Sequence, residues 1–270
     1  MKIAFIGDIV GRPGRKIIKH NLERLINEYQ IDTVIANGEN ASHGFGITVK
    51  NAQELFNCGI DVITGGNHTW DKKKDILTLL ETKKVLRPDN YPADVPGSGI
   101  LKLEINGEVL AIINLMGLYT MPQVLNPFTH ILEVVANLEK EGVKHIFIDF
   151  HAEVTAEKRI LMQMLKGRVS AICGTHTHVG TDDLEITEGT FYVTDLGLTG
   201  CRDNVIGMDS YMPIQKALTG LSGHFDVPNS CKAIMQIVII DIDENGKAND
   251  GLKIKLYNDK EEIISKAVVN

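Results

Sequence analysis

Ile3-Ala4-Phe5-Ile6-Gly7-Asp8 is an unbroken apolar run that halts on a glycine and then an acidic residue. The same pattern returns in Val34-Ile35-Ala36-Asn37-Gly38-Glu39-Asn40 and in Val62-Ile63-Thr64-Gly65-Gly66-Asn67-His68. It appears again in Ile146-Phe147-Ile148-Asp149-Phe150-His151 and in Ala171-Ile172-Cys173-Gly174-Thr175-His176-Thr177-His178. Short, continuously apolar runs of this kind fit strands buried on both faces, as in parallel sheets. In an open parallel sheet the C-terminal strand ends gather on one edge, where ligands bind. Five loops carrying Asp, Glu, Asn and His are therefore expected to converge on one cleft.

Working outward from these runs, strands are predicted over Lys2–Gly7, Asp32–Ala36, Asp61–Thr64, Val109–Leu115, His145–Phe150, Ser170–Cys173, Thr190–Thr194, Ala233–Asp241 and Leu252–Leu256. Helical patterns lie between several of them. Ile17, Ile18, Leu22, Leu25 and Ile26 recur at helical spacing. Thr48 stands where an N-cap belongs and Gly59 where a helix C-terminus turns out. Thr155 to Gly167 carries the same punctuation. Alternation of strand and helix over the first 180 residues or so predicts an α/β fold with a largely parallel sheet covered by helices on both faces. The last 80 or so read as a β-rich second layer or edge, with turns such as Glu244-Asn245-Gly246. The fold class expected is an α/β sandwich with mixed, largely parallel sheets, in a single domain over residues 1–270.

A net charge of −7 argues against a surface that holds long nucleic acid by neutralising phosphates. It leaves room for a small phosphate ester, because bound metal ions supply local positive charge. A local basic cluster, Arg12, Arg15, Lys16 and Lys19, reads as a solvated helix face. The four cysteines, Cys58, Cys173, Cys201 and Cys231, form no C-x-x-C pair and read as reduced, mostly buried thiols of a cytoplasmic protein. The apolar run at the N-terminus is too short for a signal peptide or a membrane span, which also points to the cytoplasm. No partner or oligomeric state is written in the sequence, although a homo-oligomer is compatible with it.

Taken singly, each candidate ligand has an ordinary explanation. An Asp after a strand is often a helix cap or turn residue, Asn40 and Asn67 are common turn formers, and His151 alone reads as an interior histidine. The joint pattern at five strand ends is what points to a metal site made of Asp8, Glu39, Asn40, Asn67, His151, His176 and His178. Mixed oxygen and nitrogen donors suit Fe or Mn, with Zn also compatible, and the lack of thiolates argues against a structural zinc site. Seven donors exceed one tetrahedral site but fill two adjacent ones if a carboxylate bridges, and Glu39 is the natural bridge. The two histidines of His-x-His would face opposite ways on an extended segment, so they require a bent loop. No G-x-G-x-x-G, phosphate-binding G-x-x-x-x-G-K-[ST] or G-x-S-x-G motif competes for these regions.

Asp8, Gly38-Glu39-Asn40, Gly66-Asn67-His68, His151 and Gly174-Thr175-His176-Thr177-His178 together resemble the calcineurin-like metallophosphoesterases over residues 1 to about 205. Further phrases are similar to those of a bacterial subgroup of cyclic-nucleotide phosphodiesterases acting on 2′,3′-cAMP. These are Gly7-Asp8-Ile9-Val10-Gly11, Asn37-Gly38-Glu39-Asn40-Ala41, Gly44-Phe45-Gly46-Ile47-Thr48 and Gly66-Asn67-His68-Thr69-Trp70-Asp71. The chain departs from the wider superfamily in having Val10 in place of a histidine and Glu39 in place of the bridging Asp. Within the subgroup Leu118 replaces an expected Arg, and His43 a small residue. The resemblance implies a hydrolase with a binuclear metal centre. Asp8, Glu39, Asn40 and His178 would bind the first ion, and Glu39, Asn67, His151 and His176 the second. It implies His68 as general acid or transition-state donor. The expected activity is a metal-dependent phosphodiesterase on small nucleotides. The alternatives are a phosphomonoesterase or nuclease on the same metals, or a regulatory or RNA-decay adaptor that retains the site.

Overall fold

The computed structural model describes residues 1–82, 84–257 and 261–270. The chain opens with β1 (Lys2–Ile6), α1 (Gly11–Tyr29), β2 (Thr33–Asn37), α2 (Val49–Asn57), β3 (Val62–Thr64) and α3 (Lys73–Glu81). It continues with β4 (Ile100–Ile105), β5 (Glu108–Met116), α4 (Pro127–Lys140), β6 (His145–His151), α5 (Thr155–Leu165) and β7 (Ala171–Thr175). Then follow β8 (Glu185–Thr187), β9 (Thr190–Val193), β10 (Gly200–Cys201), α6 (Tyr211–Thr219), β11 (Ala233–Ile242), β12 (Ala248–Tyr257), β13 (Glu261–Lys266) and β14 (Val268–Val269).

The strands form two seven-stranded sheets, ordered β13-β12-β11-β1-β2-β3, with β10 on β11, and β14-β8-β9-β7-β6-β5-β4. Both hold a parallel run, β1-β2-β3 at one end of the first and β5-β6-β7-β9 in the middle of the other. Antiparallel strands adjoin each run, β11 beside β1 and β4 beside β5. Alternation along the strands sorts the core into layers. From β1, Ile3 and Phe5 join Ile35, Leu110 and Phe147 between the sheets, where the Phe5 and Phe147 rings meet edge to face at 5.0 Å. Ala4 and Ile6 point the other way, onto Ile18, Leu22 and Leu25 of α1 and Leu55 of α2. The second sheet does the same with Ile131 and Val135 of α4 and Leu161 and Leu165 of α5.

The result is a four-layer α/β/β/α sandwich, which corrects the expectation of one sheet with helices on both faces. Strands that are apolar on both sides do not record whether a helix or a second sheet covers the far face. The nine predicted strands are all present, and the last of them extend the first sheet past β1 as an antiparallel edge. Thr48 caps α2, its hydroxyl accepting from Asn51 N–H at 3.3 Å, and Gly59 takes φ +102° just beyond the helix end. No described helix is long and apolar enough to cross a membrane.

The cysteine expectation fails for two of the four. Cys201 and Cys231 are joined by a disulfide, while Cys58 and Cys173 remain free. Antiparallel pairing of β10 with β11 places Cys201 opposite Ala233 and brings the two Cα atoms to 5.6 Å, within bridging range. The separation of 30 residues hid this pair from any spacing rule. The thiol argument for a cytoplasmic location goes with it.

Candidate active site

All seven candidate ligands and His68 meet where β1, β2, β3, β6 and β7 end. Gly66 allows the close approach, since a Cβ there would come within 2.3 Å of Glu39 Oε2 and 2.5 Å of His151 Nε2. His176 and His178 both have left-handed backbone, with φ of +102° and +65°. That bend answers the problem of His-x-His facing two ways, because it turns both rings into one cleft.

His151 is fully buried, and its Nε2 has three close neighbours: Asn67 Oδ1 at 2.9 Å, His176 Nδ1 at 3.1 Å and Glu39 Oε1 at 3.2 Å. A ring nitrogen has a single proton or lone pair to share. Four polar atoms around one point therefore fit a shared cation better than a set of pairwise hydrogen bonds. Glu39, His151 and His176 each offer a ligand atom within 4.8 Å of the others. Glu39 also reaches the other half of the cluster, its Oε1 lying 3.0 Å from Asn40 Nδ2, which is 3.1 Å from His178 Nε2. A half-turn of the Asn40 amide presents its oxygen instead. Asp8 Oδ1 is buried with no hydrogen-bond partner and lies 3.9 Å from both His178 Nε2 and His151 Nδ1. An orphaned buried carboxylate oxygen facing two imidazoles is a ready cation ligand. The cluster is thus compatible with metal binding, and all of its donors are oxygen or nitrogen.

Electrostatics here are dominated by burial and by neighbours of opposite charge. Burial holds the Asp8 carboxyl above the usual carboxylate range. Burial also works to raise Glu39, but the adjoining His151 overrides it and brings Glu39 down to about 2. The converse balance lifts His151 to about 9, because Glu39 outweighs desolvation. His176, half-buried and next to His151, falls to about 3 through desolvation and the neighbouring imidazole. A cation among these atoms competes with the proton on His151.

A layer of polar groups beneath the cluster was missed in the sequence. His151 Nδ1 meets Thr175 Oγ1 at 3.0 Å, and that hydroxyl donates to Asp149 Oδ1 at 2.7 Å. This chain holds a proton on Nδ1 and turns Nε2 toward the cluster. Asp149 is fully buried, also accepts from Thr64 Oγ1 and Asn37 Nδ2, and burial pushes it up to about 6. Fully buried Lys158 donates to Asp195 Oδ2 at 2.7 Å and Thr175 O at 2.9 Å, and Asp195 in turn accepts from Thr177 N–H. The His176–His178 bend is held by that ion pair. An Asp inside the apolar run before His151 was the available signal; Lys158 sits on a helix and gave none. Asp149→Ala is expected to lose about 2–4 kcal/mol of stability by stranding three buried donors, with Asp149→Asn milder. Urea unfolding of an Asp149→Ala protein as stable as the parent would refute the orienting chain.

His68 lines the cleft without lying among the cluster's short contacts through its ring. Its backbone N–H donates to Glu39 Oε2 at 2.8 Å, and its Nδ1 meets Asp71 Oδ2 at 2.9 Å. The ring also packs edge to face on Phe45 at 4.9 Å. The cleft, about 750 Å³, is lined by Glu39, Asn40, His68, His176 and His178 at one end and by apolar residues at the other. Leu118 and His43 are not among the residues lining it. Arg15 of the basic helix face is an internal staple, bound to Glu54 and to Ala41 O.

A family model described as YmdB-like protein matches residues 4–254. The chain is 43% identical to a Bacillus subtilis protein named 2′,3′-cyclic-nucleotide 2′-phosphodiesterase, over 96% of this chain and 98% of that one. The crystal structure of a novel phosphatase from Mycoplasma pneumoniae superposes with TM-score 0.90 at 36% identity, covering 95% and 93% of the two chains. The crystal structure of a hypothetical protein from Thermus thermophilus gives 0.89 at 35%, covering 95% and 99%. The resemblance read from the strand-end motifs is thereby borne out, and the chain belongs to the family of YmdB-like proteins.

Proposed function

We propose that this protein, as one domain over residues 1–270, is a binuclear metal-dependent phosphodiesterase acting on small phosphodiesters, with 2′,3′-cyclic nucleotides such as 2′,3′-cAMP first. The observation that carries the reading is the convergence of Asn67, His176 and Glu39 on His151 Nε2, with Glu39 Oε1 shared with Asn40. The name of the Bacillus subtilis relative supports the substrate class. Asp8, Glu39, Asn40 and His178 would hold one ion and Glu39, Asn67, His151 and His176 the other, Fe or Mn by donor chemistry with Zn compatible.

Bound there, two divalent ions supply Lewis acidity and a water of lowered pKa. The protein's own groups do the rest. Asp8 and Glu39 bring two negative charges, so the loaded centre keeps a positive excess for an anionic diester. Thr175 and Asp149 fix His151. Asp71 accepts from Nδ1 of His68, so the acid role calls for the doubly protonated ring, whose Nε2 proton would pass to the departing sugar oxygen and leave the neutral Nδ1–H imidazole on Asp71. Protein purified without chelator is expected to carry two metal ions per chain and to hydrolyse bis-p-nitrophenyl phosphate and 2′,3′-cAMP. Elemental analysis finding one ion or none would overturn the two-metal reading, and no turnover with Mn or Fe supplied would overturn the activity.

A further inference from the structure

The end of the cleft away from the ligand cluster is built mostly from one segment. Residues 202–230 form a strap closed by the Cys201–Cys231 disulfide and by Arg202 N–H donating to Lys232 O at 2.9 Å. The strap contributes Ile206, Met208, Pro213 and Phe225 to the cleft, and Phe45 faces them from the loop before α2. Phe45 and Phe225 pack on a separate small core of Val10, Leu198, Met208 and Ile234. Ile206 is half exposed, yet its backbone sits at φ +44°, a region that a β-branched residue rarely enters. It is the first residue of a two-residue turn with Gly207, at φ +94°, closed by the reciprocal Val205–Met208 backbone hydrogen bonds, and its carbonyl accepts from His178 Nδ1 at 2.7 Å. A strained residue thus locks the apolar wall onto a candidate ligand histidine, and strain of this kind collects at functional sites.

Hydrolysis of a bare diester needs no such wall. At about 750 Å³ the cleft has the size of a site for a whole small molecule, with a polar end for phosphate and an apolar end with two aromatic rings. We propose that Phe45, Phe225 and the strap residue Ile206 form a base-binding subsite, so that the protein takes nucleotides by stacking on the base and prefers purines to pyrimidines. This rests on the phosphodiesterase reading for its orientation, because the phosphate is placed at the cluster. Stacking on an aromatic face is available to every base and grows with ring area. Among the described residues no side-chain amide lines the apolar end to read a base edge, so ring size is the basis of choice. Lys216, with its Nζ 5.5 Å above the Phe225 ring, is the strap's cation in the cleft and adds attraction for an anionic ligand.

The test separates base from phosphate. In the metal-loaded protein, adenosine 3′-monophosphate is expected to bind about tenfold more tightly than ribose phosphate by calorimetry, with uridine 3′-monophosphate between them. Phe225→Leu keeps apolar packing but removes the ring, and the tenfold difference should collapse. Phe45→Leu should act in the same direction. In turnover, the kcat/KM ratio of 2′,3′-cAMP to base-free ribose 2,3-cyclic phosphate should narrow by about the same factor, chiefly through KM. No advantage of the nucleotide over ribose phosphate in the parent, or an advantage untouched in both variants, overturns the subsite. A tenfold advantage lost in the variants, from a protein that hydrolyses no diester, would establish the subsite and overturn the phosphodiesterase reading instead.

Discussion

Glu39→Gln is expected to lower phosphodiester turnover by about three orders of magnitude and to empty both metal positions together. Its two oxygens are committed to different tasks. Oε1 lies between Asn40 Nδ2 at 3.0 Å and His151 Nε2 at 3.2 Å, while Oε2 accepts the His68 N–H at 2.8 Å. Glutamine is nearly the same shape but neutral, and one of its two positions becomes a donor. Aimed at Oε2, the amide opposes the His68 N–H; aimed at Oε1, it meets the Asn40 amide and a nitrogen of His151. Either way one half of the cluster loses its acceptor and both lose the charge. Asn67→Ala removes a neutral oxygen from one half and should chiefly cost the ion held there. Metal content of the two variants after dialysis, beside turnover with Mn restored, checks the contrast. Equal and small losses of metal from both would refute Glu39 as the shared ligand.

The candidate ligand set is legible in sequence because each member closes an apolar run, and parallel strands deliver their ends to one edge. What those runs could not record was the partner of the second face. Ile3 and Phe5 look inward to the other sheet, Ala4 and Ile6 outward to α1, and both sets are equally apolar. Strand β4 lacks a continuous apolar run, alternating in Ile100-Leu101-Lys102-Leu103-Glu104-Ile105, although Asn106-Gly107 sits between it and β5. Both residues take positive φ, 53° and 85°, as a two-residue hairpin turn requires. The far wall of the cleft was illegible for a different reason. Ile206 acts on His178 through a backbone carbonyl, which any residue possesses, and the disulfide that closes its segment spans 30 residues. Asp149 lies inside the apolar run of β6, but its task is to hold Thr175 and through it His151, a relation that exists only once β6 and β7 are paired.

His68→Ala is expected to reduce kcat on 2′,3′-cAMP by about 10²–10⁴-fold while leaving metal content near that of the parent. The structural reason for sparing the metals is that His68 touches Glu39 through its backbone N–H, which alanine retains. What is lost is the ring, with Nδ1 held on Asp71 at 2.9 Å and its outer edge in the cleft beside His176 and His178. A group that protonates a leaving oxygen matters in proportion to that oxygen's basicity. The sugar alkoxide released from a cyclic diester is a poor leaving group, whereas p-nitrophenolate needs little help. The loss should therefore be markedly smaller on bis-p-nitrophenyl phosphate than on 2′,3′-cAMP. Asp71→Asn leaves the ring in place but weakens its orientation, so the effect should follow the same substrate order at a fraction of the size. Parallel losses on both substrates in His68→Ala would reduce His68 to general electrostatic support, and loss of bound metal would make it a structural part of the turn.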